Sequence, residues 1–251
     1  MARRRPTVLV FAGLDPSGGA GLAADIVAIA AQGTHALPVI TALTVQDNDR
    51  VFAVEPVAPE LLRRQAQALI AKIAIDAVKI GIPGSAANAV VIAQLIAQLR
   101  LARPSLPVVL DPVLASGHGD VLSRDDAVLA LAPLLPVTTV IVPNGPEAQA
   151  LGGAENLRAQ GCQHVLVTGG HGDGGDVINR WFDGAGGERA WRWPRLPGEF
   201  HGSGCTLASA IAGRLALGEP MHDALDGAQA YCHAALAGAY AIAPGQLMPQ
   251  R

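Results

Sequence analysis

The sequence has few aromatic and few charged residues. Only 4% of its 251 residues are aromatic and 16% are charged, whereas 50% are hydrophobic. This hydrophobic half excludes an intrinsically disordered chain, which needs low hydrophobicity and a high net charge. The core of the folded protein must therefore be mainly aliphatic.

The chain also lacks the marks of several binding and targeting classes. Its formal net charge is −3, so the basic excess of a nucleic-acid-binding protein is absent. No apolar run approaches the ~18 residues of a membrane span. The basic residues Arg3–Arg5 precede an apolar run that Asp15 and Pro16 interrupt, which makes a poor secretory signal. We expect a cytoplasmic protein without nucleic-acid or membrane partners, in which residues 1–6 form a solvated, flexible tail.

Cysteines are few, and only one lies in a chemically suggestive position. Cys162, Cys205 and Cys232 are far apart and odd in number, which argues against disulfides and a CxxC metal site. Cys205 ends the segment His201-Gly-Ser-Gly-Cys before an alanine-rich helical stretch. Backbone N–H groups can converge at such a helix start to hold an anion, which predicts an anion hole at Gly202, Ser203 and Gly204. The same position predicts a lowered thiol pKa for Cys205, although a small buried hydrophobe is the alternative role.

Strand and helix patterns alternate along the chain. Buried strands are predicted at residues 7–12, 38–46, 77–80, 107–110, 137–142 and 164–167. Helices are predicted at 22–32, 59–73, 86–101, 207–217 and 224–239, with a further helix start at 123–126 and a hairpin of 177–182 with 188–193. The alternation predicts an α/β fold with a mostly parallel sheet between two helical layers. We expect one domain over residues 1–251.

Polar or glycine residues follow most of these strands. They are Asp15, Gln46, Gly81, Asp111, Asn144 and Thr168. Ligands bind beyond the carboxyl ends of the strands in open parallel sheets, so these positions predict a site at one edge.

Several of these signals have competing interpretations. Asn144 and Glu147 fit a helix-capping box, or oxygen ligands that hold Mg²⁺ or its waters beside phosphates. Asp111 is either a turn initiator before Pro112 or a further charge at that place. Residues 19–24 loosely match the dinucleotide fingerprint GxGxxA, but Asp47 is only a weak match for its acidic partner. No P-loop motif is present.

The motifs together resemble the hydroxymethylpyrimidine/phosphomethylpyrimidine kinases of thiamine biosynthesis, in the ribokinase-like superfamily. They occur in family order along nearly the whole chain. They are Ala12-Gly-Leu-Asp-Pro-Ser-Gly-Gly-Ala-Gly with Asp25, Ile40-Thr-Ala-Leu-Thr-Val-Gln, Lys79-Ile-Gly, Asp111-Pro-Val, Pro143-Asn-Gly-Pro-Glu, Gly169-Gly-His and His201-Gly-Ser-Gly-Cys-Thr.

The resemblance implies a three-layer α/β/α sandwich that phosphorylates a hydroxymethylpyrimidine, and then its monophosphate, from ATP with Mg²⁺. It implies that Gln46 hydrogen-bonds the pyrimidine and that Cys205 replaces the usual aspartate base beside an anion hole at Gly202, Ser203 and Gly204. A homodimer is compatible with it. The pocket residues implied are Gly13, Asp15, Ala20, Asp25, Thr44 and Ile82; those implied for ATP phosphates are Asn144, Glu147, Thr168 and Asp111, with Asn144 and Glu147 also serving Mg²⁺ through water.

The chain departs from the family pattern near the expected nucleotide. Thr168 stands where many members have lysine, and residues 172–193 form a glycine-rich segment that suggests an altered lid. Two alternatives therefore stay open. One is a pyridoxal-type kinase of the same superfamily, since pyridoxal also carries a hydroxymethyl group on an aromatic ring. The other is a sensor that binds a pyrimidine without phosphoryl transfer.

Overall fold

The protein is built around one nine-stranded sheet with the order β3-β2-β1-β4-β5-β6-β7-β8-β9. The computed structural model describes residues 4–116, 118–120, 122, 126–172 and 174–251. Six neighbouring strands, from β2 to β7, run parallel, and β3, β8 and β9 are antiparallel to their neighbours. The strands are β1 (Thr7–Leu14), β2 (His35–Gln46), β3 (Val51–Pro56), β4 (Ala77–Ile80), β5 (Val108–Leu110), β6 (Val140–Ile141), β7 (His164–Val167), β8 (Asp176–Phe182) and β9 (Glu188–Pro194).

Eight α-helices accompany the sheet in the described part of the chain. They are α1 (Gly21–Ala31), α2 (Pro59–Ile70), α3 (Ala86–Ala102), α4 (Ala127–Leu131), α5 (Gly145–Ala150), α6 (Gly153–Ala159), α7 (Ser203–Ala216) and α8 (Met221–Ala237). The short 3₁₀ helix Leu135–Val137 precedes β6.

The first strand shows how the sequence produces a three-layer fold. Every residue of β1 except Leu14 is buried, and successive side chains point to opposite faces of the sheet. Leu9 and Phe11 join the core cluster beneath α2 and α3, whereas Val8 and Val10 join the cluster beneath α1, α7 and α8. A strand buried on both faces is the pattern of a parallel sheet covered by helices on each side, so the predicted fold class is confirmed.

Most predicted elements are confirmed, and the differences have local causes. The hairpin β8–β9 and the Ser85 cap of α3, which accepts from Asn88 N, are confirmed. The strand predicted at 137–142 shortens to two residues because a 3₁₀ helix occupies its beginning. The sequence patterns gave no prediction of β3 or α6, whereas α5 begins where the capping interpretation of Asn144 and Glu147 places a helix start. Of the predicted helix start at 123–126, residues 123–125 lie outside the described residues, and Asp126 caps α4.

The N-terminal segment contacts the folded domain at Arg4. Arg4, which the sequence places in a solvated tail, donates to the carboxylate of Asp76 at 2.7 Å.

Within the described ranges, the helices are too short or too polar to cross a membrane.

Candidate active site

Three adjoining cavities lie along the carboxyl edge of the parallel strands. We call them the inner cavity, about 80 Å³, the central cleft, about 270 Å³, and the outer cleft, about 440 Å³. Cys205 and Gln46 line both the inner cavity and the central cleft, and Ser203 lines both the central and outer clefts. The six polar or glycine residues predicted at this edge all line the inner cavity or the central cleft, so the structure brings them together as expected. In the inner cavity these are Asp15, Gln46 and Gly81, and in the central cleft Gln46, Asp111, Asn144 and Thr168.

Asp15 organises the loop that closes the inner cavity. Its carboxylate accepts from Ser17 N at 2.7 Å, from Ala20 N at 2.7 Å and from the Ser17 hydroxyl at 2.9 Å. His201 Nε2 lies 2.9 Å from Asp15 Oδ2, and His201 Nδ1 lies 3.1 Å from the Gln246 side-chain oxygen. Burial opposes ionisation of Asp15, but hydrogen bonds from His201, Ser17 and Gln46 hold its pKa at about 2. The loop is therefore tied to a carboxylate that is ionised at neutral pH.

This arrangement contradicts the dinucleotide interpretation of residues 19–24. A dinucleotide pyrophosphate needs free N–H groups at the helix start. Here Asp15 already accepts the Ala20 N–H, so a side chain occupies the place of the phosphate.

The implied pyrimidine-binding residues fall into two sets. Gly13, Ala20, Thr44, Gln46 and Ile82 line the inner cavity together with Asp15. A Cβ at Gly13 would approach Ile82 Cδ1 to 2.7 Å, so a larger residue there would displace the end of the Ile82 side chain in the cavity wall. Asp25, in contrast, is fully buried in α1 and lines none of the three cavities.

Asp25 instead neutralises a buried lysine beneath the site. Lys79 in β4 is fully buried, and its Nζ lies 2.8 Å from Asp25 Oδ1. Asp25 also accepts from the Ser209 hydroxyl at 2.7 Å. Burial alone would lower the pKa of Lys79, but the Asp25 carboxylate raises it above its usual value. Lys79 thus places a fixed positive charge near Cys205. This charge opposes the rise in the thiol pKa that burial causes.

The predicted anion hole lies at the beginning of α7. Gly202 adopts the left-handed conformation, with φ of 69°, and a Cβ there would lie 2.1 Å from Gly19 O. Gly202, Ser203 and Gly204 line the central cleft. In the described part of the chain, their N–H groups donate to no other protein group, as expected for the first turn of a helix. The free donors and the helix dipole suit an anion.

Cys205 occupies the predicted first-turn position, but the predicted lowering of its pKa is wrong. Burial raises the pKa of the thiol to about 12, although Lys79 and the Gly21 N–H lower it. The thiol donates a hydrogen bond to Asp111, which helps to lower the pKa of that carboxylate. Desolvation outweighs the helix dipole here, so the resting side chain is a thiol.

Two carboxylates of the central cleft are poorly neutralised. Burial raises the pKa of Asp111 to about 6 despite the opposing effect of Lys79, and its Oδ2 has no hydrogen-bond partner. Burial and the neighbouring Asp111 raise the pKa of Glu147 to about 7. Glu147 makes no ion pair within the described residues. The pair therefore presents negative potential to the cleft.

The capping interpretation of Asn144 and Glu147 is confirmed. Asn144 Oδ1 accepts from Glu147 N at 2.9 Å, and Glu147 Oε2 accepts from Asn144 N at 2.9 Å. This use of Asn144 engages its amide oxygen. A carboxylate has about four acceptor positions, however, so Glu147 keeps capacity for a further partner.

The outer cleft was not predicted from the sequence. Trp193 of β9 and His233 of α8 line it as a stacked pair, with ring centroids 5.2 Å apart. Asn179 and Gln229 hydrogen-bond each other at its base, and Asn179 Oδ1 accepts from Gly169 N at 3.0 Å. The cleft thus joins an aromatic wall to the loop that follows Thr168.

Sequence patterns could have found Lys79 but not the outer cleft. A lysine inside the buried strand Ala77-Val-Lys-Ile breaks an apolar run and calls for a partner. The outer cleft gives no such signal, because the hairpin and α8 meet only in the folded chain.

Comparison with known proteins agrees with this geometry. The family model described as phosphomethylpyrimidine kinase matches residues 15–249. The hydroxymethylpyrimidine/phosphomethylpyrimidine kinase of Rhizobium meliloti is 37% identical over 95% of this chain and 93% of its own length.

Two solved structures are similar over nearly the whole chain. Phosphomethylpyrimidine kinase of Clostridium difficile superposes with a TM-score of 0.78 at 31% identity, covering 93% of this chain and 100% of that one. Pyridoxal kinase of Staphylococcus aureus in complex with AMP-PCP gives a TM-score of 0.86 at 25% identity, covering 99% and 94%. The match of the family model to most of the chain, with the full-length relative, shows that this protein is a kinase of the phosphomethylpyrimidine kinase family.

Proposed function

We propose that this protein transfers a phosphoryl group from ATP to 4-amino-5-hydroxymethyl-2-methylpyrimidine, and then to the resulting monophosphate, in thiamine biosynthesis. The observation that carries this proposal is the order of the three cavities. The inner cavity holds the acceptor, the outer cleft holds the nucleotide base, and the central cleft between them holds the phosphates against the anion hole. The names of the relatives, which include thiamine biosynthesis proteins of Corynebacterium efficiens and Geobacter sulfurreducens, support the same reaction.

Gln46 supports an aminopyrimidine as the acceptor. Asp15 is ionised and can only accept hydrogen bonds, so the Gln46 atom that bonds to it is the amide nitrogen. The Gln46 carbonyl then faces the cavity as an acceptor, which matches the 4-amino group of the pyrimidine. Pyridoxal has no amino group and offers the carbonyl one ring O–H, whereas the amino group of the pyrimidine offers two N–H donors.

The outer cleft suits a purine. Its aromatic and aliphatic lining, with a few convergent amide groups, is typical of a site for a flat heterocycle. The Staphylococcus aureus relative with AMP-PCP supports ATP as the donor. Thr168, in the neighbouring central cleft, offers its hydroxyl to the phosphates.

The residues present fit Mg²⁺. The unpartnered Oδ2 of Asp111 and the raised pKa of Glu147 both indicate negative charge that lacks a cation. Within the described residues, no group of three or more histidine, cysteine or acidic side chains is arranged to hold a metal ion directly, so such an ion would keep waters, as Mg²⁺ usually does. Glu147 would hold the ion through water, with Asp111 adding charge and Asn144 fixing Glu147 by the cap. Bound there, Mg²⁺ supplies neutralisation of the phosphate charge.

Phosphoryl transfer needs positioning and charge stabilisation more than covalent chemistry by the protein. The N–H groups of Gly202, Ser203 and Gly204 stabilise the moving phosphoryl group. The substrate oxygen bonds to phosphorus as the bond to ADP breaks, and its proton passes to Cys205 Sγ. Because the resting side chain is a thiol, Cys205 passes its own proton to Asp111, the carboxylate to which it hydrogen-bonds.

ATP consumption with three acceptors tests the function. The acceptors are the hydroxymethylpyrimidine, its monophosphate and pyridoxal, assayed in parallel with Mg²⁺. We expect both pyrimidines to be phosphorylated, with a higher kcat/KM than pyridoxal. A preference for pyridoxal would replace the proposal with a pyridoxal kinase. Pyrimidine binding without ATP consumption would identify a sensor instead.

A further inference from the structure

Arg251 lies behind the anion hole, on the side away from the central cleft. Its Nη2 lies 2.5 Å from Gly19 O and 3.3 Å from both His201 O and Gly202 O. Its Nε donates to the Thr206 hydroxyl at 2.8 Å, and that hydroxyl donates to Gly202 O at 2.8 Å. One guanidinium group therefore joins the loop before α1 to the loop before α7.

The two loops are in close contact where Arg251 joins them. A Cβ on Gly19 would lie 2.0 Å from His201 Cδ2, and a Cβ on Gly202 would lie 2.9 Å from Ala20 Cα. The contact leaves no room for side chains, so the carbonyl oxygens of both loops gather at one point. Gly202 O also accepts from Thr206 N at 2.9 Å, but within the described residues the only donor to Gly19 O and His201 O is the planar, permanently charged guanidinium fork of Arg251.

Peptide geometry connects this contact with the site. In a trans peptide the C=O of one residue and the N–H of the next point in opposite directions. The carbonyls of His201 and Gly202 turn toward Arg251, so the N–H groups of Gly202 and Ser203 turn away from it. These two residues line the central cleft, where the phosphoryl group passes.

We propose that Arg251 is a positioning residue, which orients the Gly202 and Ser203 N–H groups toward the transferred phosphoryl group by holding the carbonyls on the reverse side of the same peptides. This inference rests on the proposed function for the identity of the anion. Arg251 lines none of the three cavities, and it acts on the reaction only through the backbone of residues 201–203.

The test compares Arg251→Ala and Arg251→Lys with Arg103→Ala as a matched control. Arg103 also holds a backbone carbonyl, Ile75 O at 2.9 Å, and a carboxylate, Asp76, but before β4 at the opposite edge of the sheet. We expect Arg251→Ala to lower kcat at least about tenfold, with KM for the pyrimidine changed less than about threefold. Arg251→Lys keeps the charge without the planar guanidinium fork, and its kcat should lie between those of the wild type and Arg251→Ala. Arg103→Ala should lower Tm and leave kcat unchanged.

Two further measurements separate positioning from general stability. Guanidinium ion at millimolar concentration should restore part of the kcat of Arg251→Ala and have no such effect on Arg103→Ala. Amide hydrogen exchange over residues 200–206 should be faster in Arg251→Ala and unchanged in Arg103→Ala. If Arg251→Ala does not fold, the kcat and the amide exchange of Arg251→Lys are compared with those of Arg103→Ala instead.

The outcomes distinguish this inference from the proposed function. A wild-type kcat in Arg251→Ala, or a loss of kcat without faster exchange at residues 200–206, would overturn the role of Arg251. If the wild-type protein phosphorylates none of the acceptors, the proposed function fails, and the exchange comparison still decides whether Arg251 orders these peptides.

Discussion

The carboxylates on the two sides of the active site differ in how well the protein satisfies them. Asp15, beside the inner cavity, accepts several hydrogen bonds, and its pKa is held at about 2. Glu147, in the central cleft, lacks an ion pair within the described part of the chain, and burial with Asp111 raises its pKa to about 7. The difference indicates that Asp15 maintains the shape of a pocket, whereas Glu147 keeps charge available for what binds there.

The largest effect is expected from Glu147→Gln. The amide keeps an acceptor for the Asn144 N–H but loses the charge, so kcat should fall about 100-fold or more. A folded-state pKa above the unfolded value of 4.5 means that ionised Glu147 destabilises the fold. We therefore expect the variant to have a higher Tm than the wild type above pH 7, by about 2 °C or more, and the difference to close as the pH falls from 7 to 4.5.

Activity assays and thermal unfolding over pH 4–8 check both parts of this expectation. Glu155→Gln, an acidic residue in the first turn of the neighbouring helix α6, is the control and should change neither quantity. A Glu147→Gln variant that is less stable at pH 8 would show that the cap needs the charge. Unchanged kcat would remove Glu147 from the phosphate site.

A smaller loss is expected from Cys205→Ala. Removing the proton relay should lower kcat at least about tenfold while the fold survives, since the side chain is small. Cys162→Ala is the control, because Cys162 is buried, lines none of the three cavities, and its thiol donates to Leu135 O at 3.6 Å. Full activity in Cys205→Ala would exclude the relay but not the kinase function.

The smallest effect on kcat is expected from Asp15→Asn, which should act on binding and stability. The variant loses the negative charge and one of the two acceptor oxygens that hold Ser17, Ala20 and His201, so KM for the pyrimidine should rise more than kcat falls. The lowered pKa implies a contribution of about 2 kcal/mol that is present above pH 3.8 and lost as the pH falls toward 2.

Unfolding measurements as a function of pH check the sign. The wild type should be more stable than Asp15→Asn at pH 5–8, and the difference should shrink below pH 3.8 and be largely lost by about pH 2. Glu147→Gln shows the reverse sign, so the two variants together test the contrast between the two sides of the site. If both substitutions stabilised the protein, or both destabilised it, at pH 8, this contrast would be contradicted.

The sequence predicted much of the fold and of the site edge, and the misses share a cause. Apolar alternation identified the buried strands, and glycine and polar residues marked where they end. The local pattern suggested a reactive thiol at Cys205, because a helix start lowers a thiol pKa when it is solvated. It could not show that burial would raise the pKa to about 12. It also gave no sign that Asp25 would pair with Lys79, 54 residues away.

The sequence by itself determined the layers of this protein and the edge of the sheet at which the cavities lie, because side-chain periodicity and strand ends are local properties of the chain. Only the tertiary structure decided which carboxylates are neutralised, which stay charged in the central cleft, and that Arg251 lies behind the Gly202 backbone. Those outcomes depend on burial and on partners distant in sequence, such as Asp15 with His201, and no local pattern encodes them.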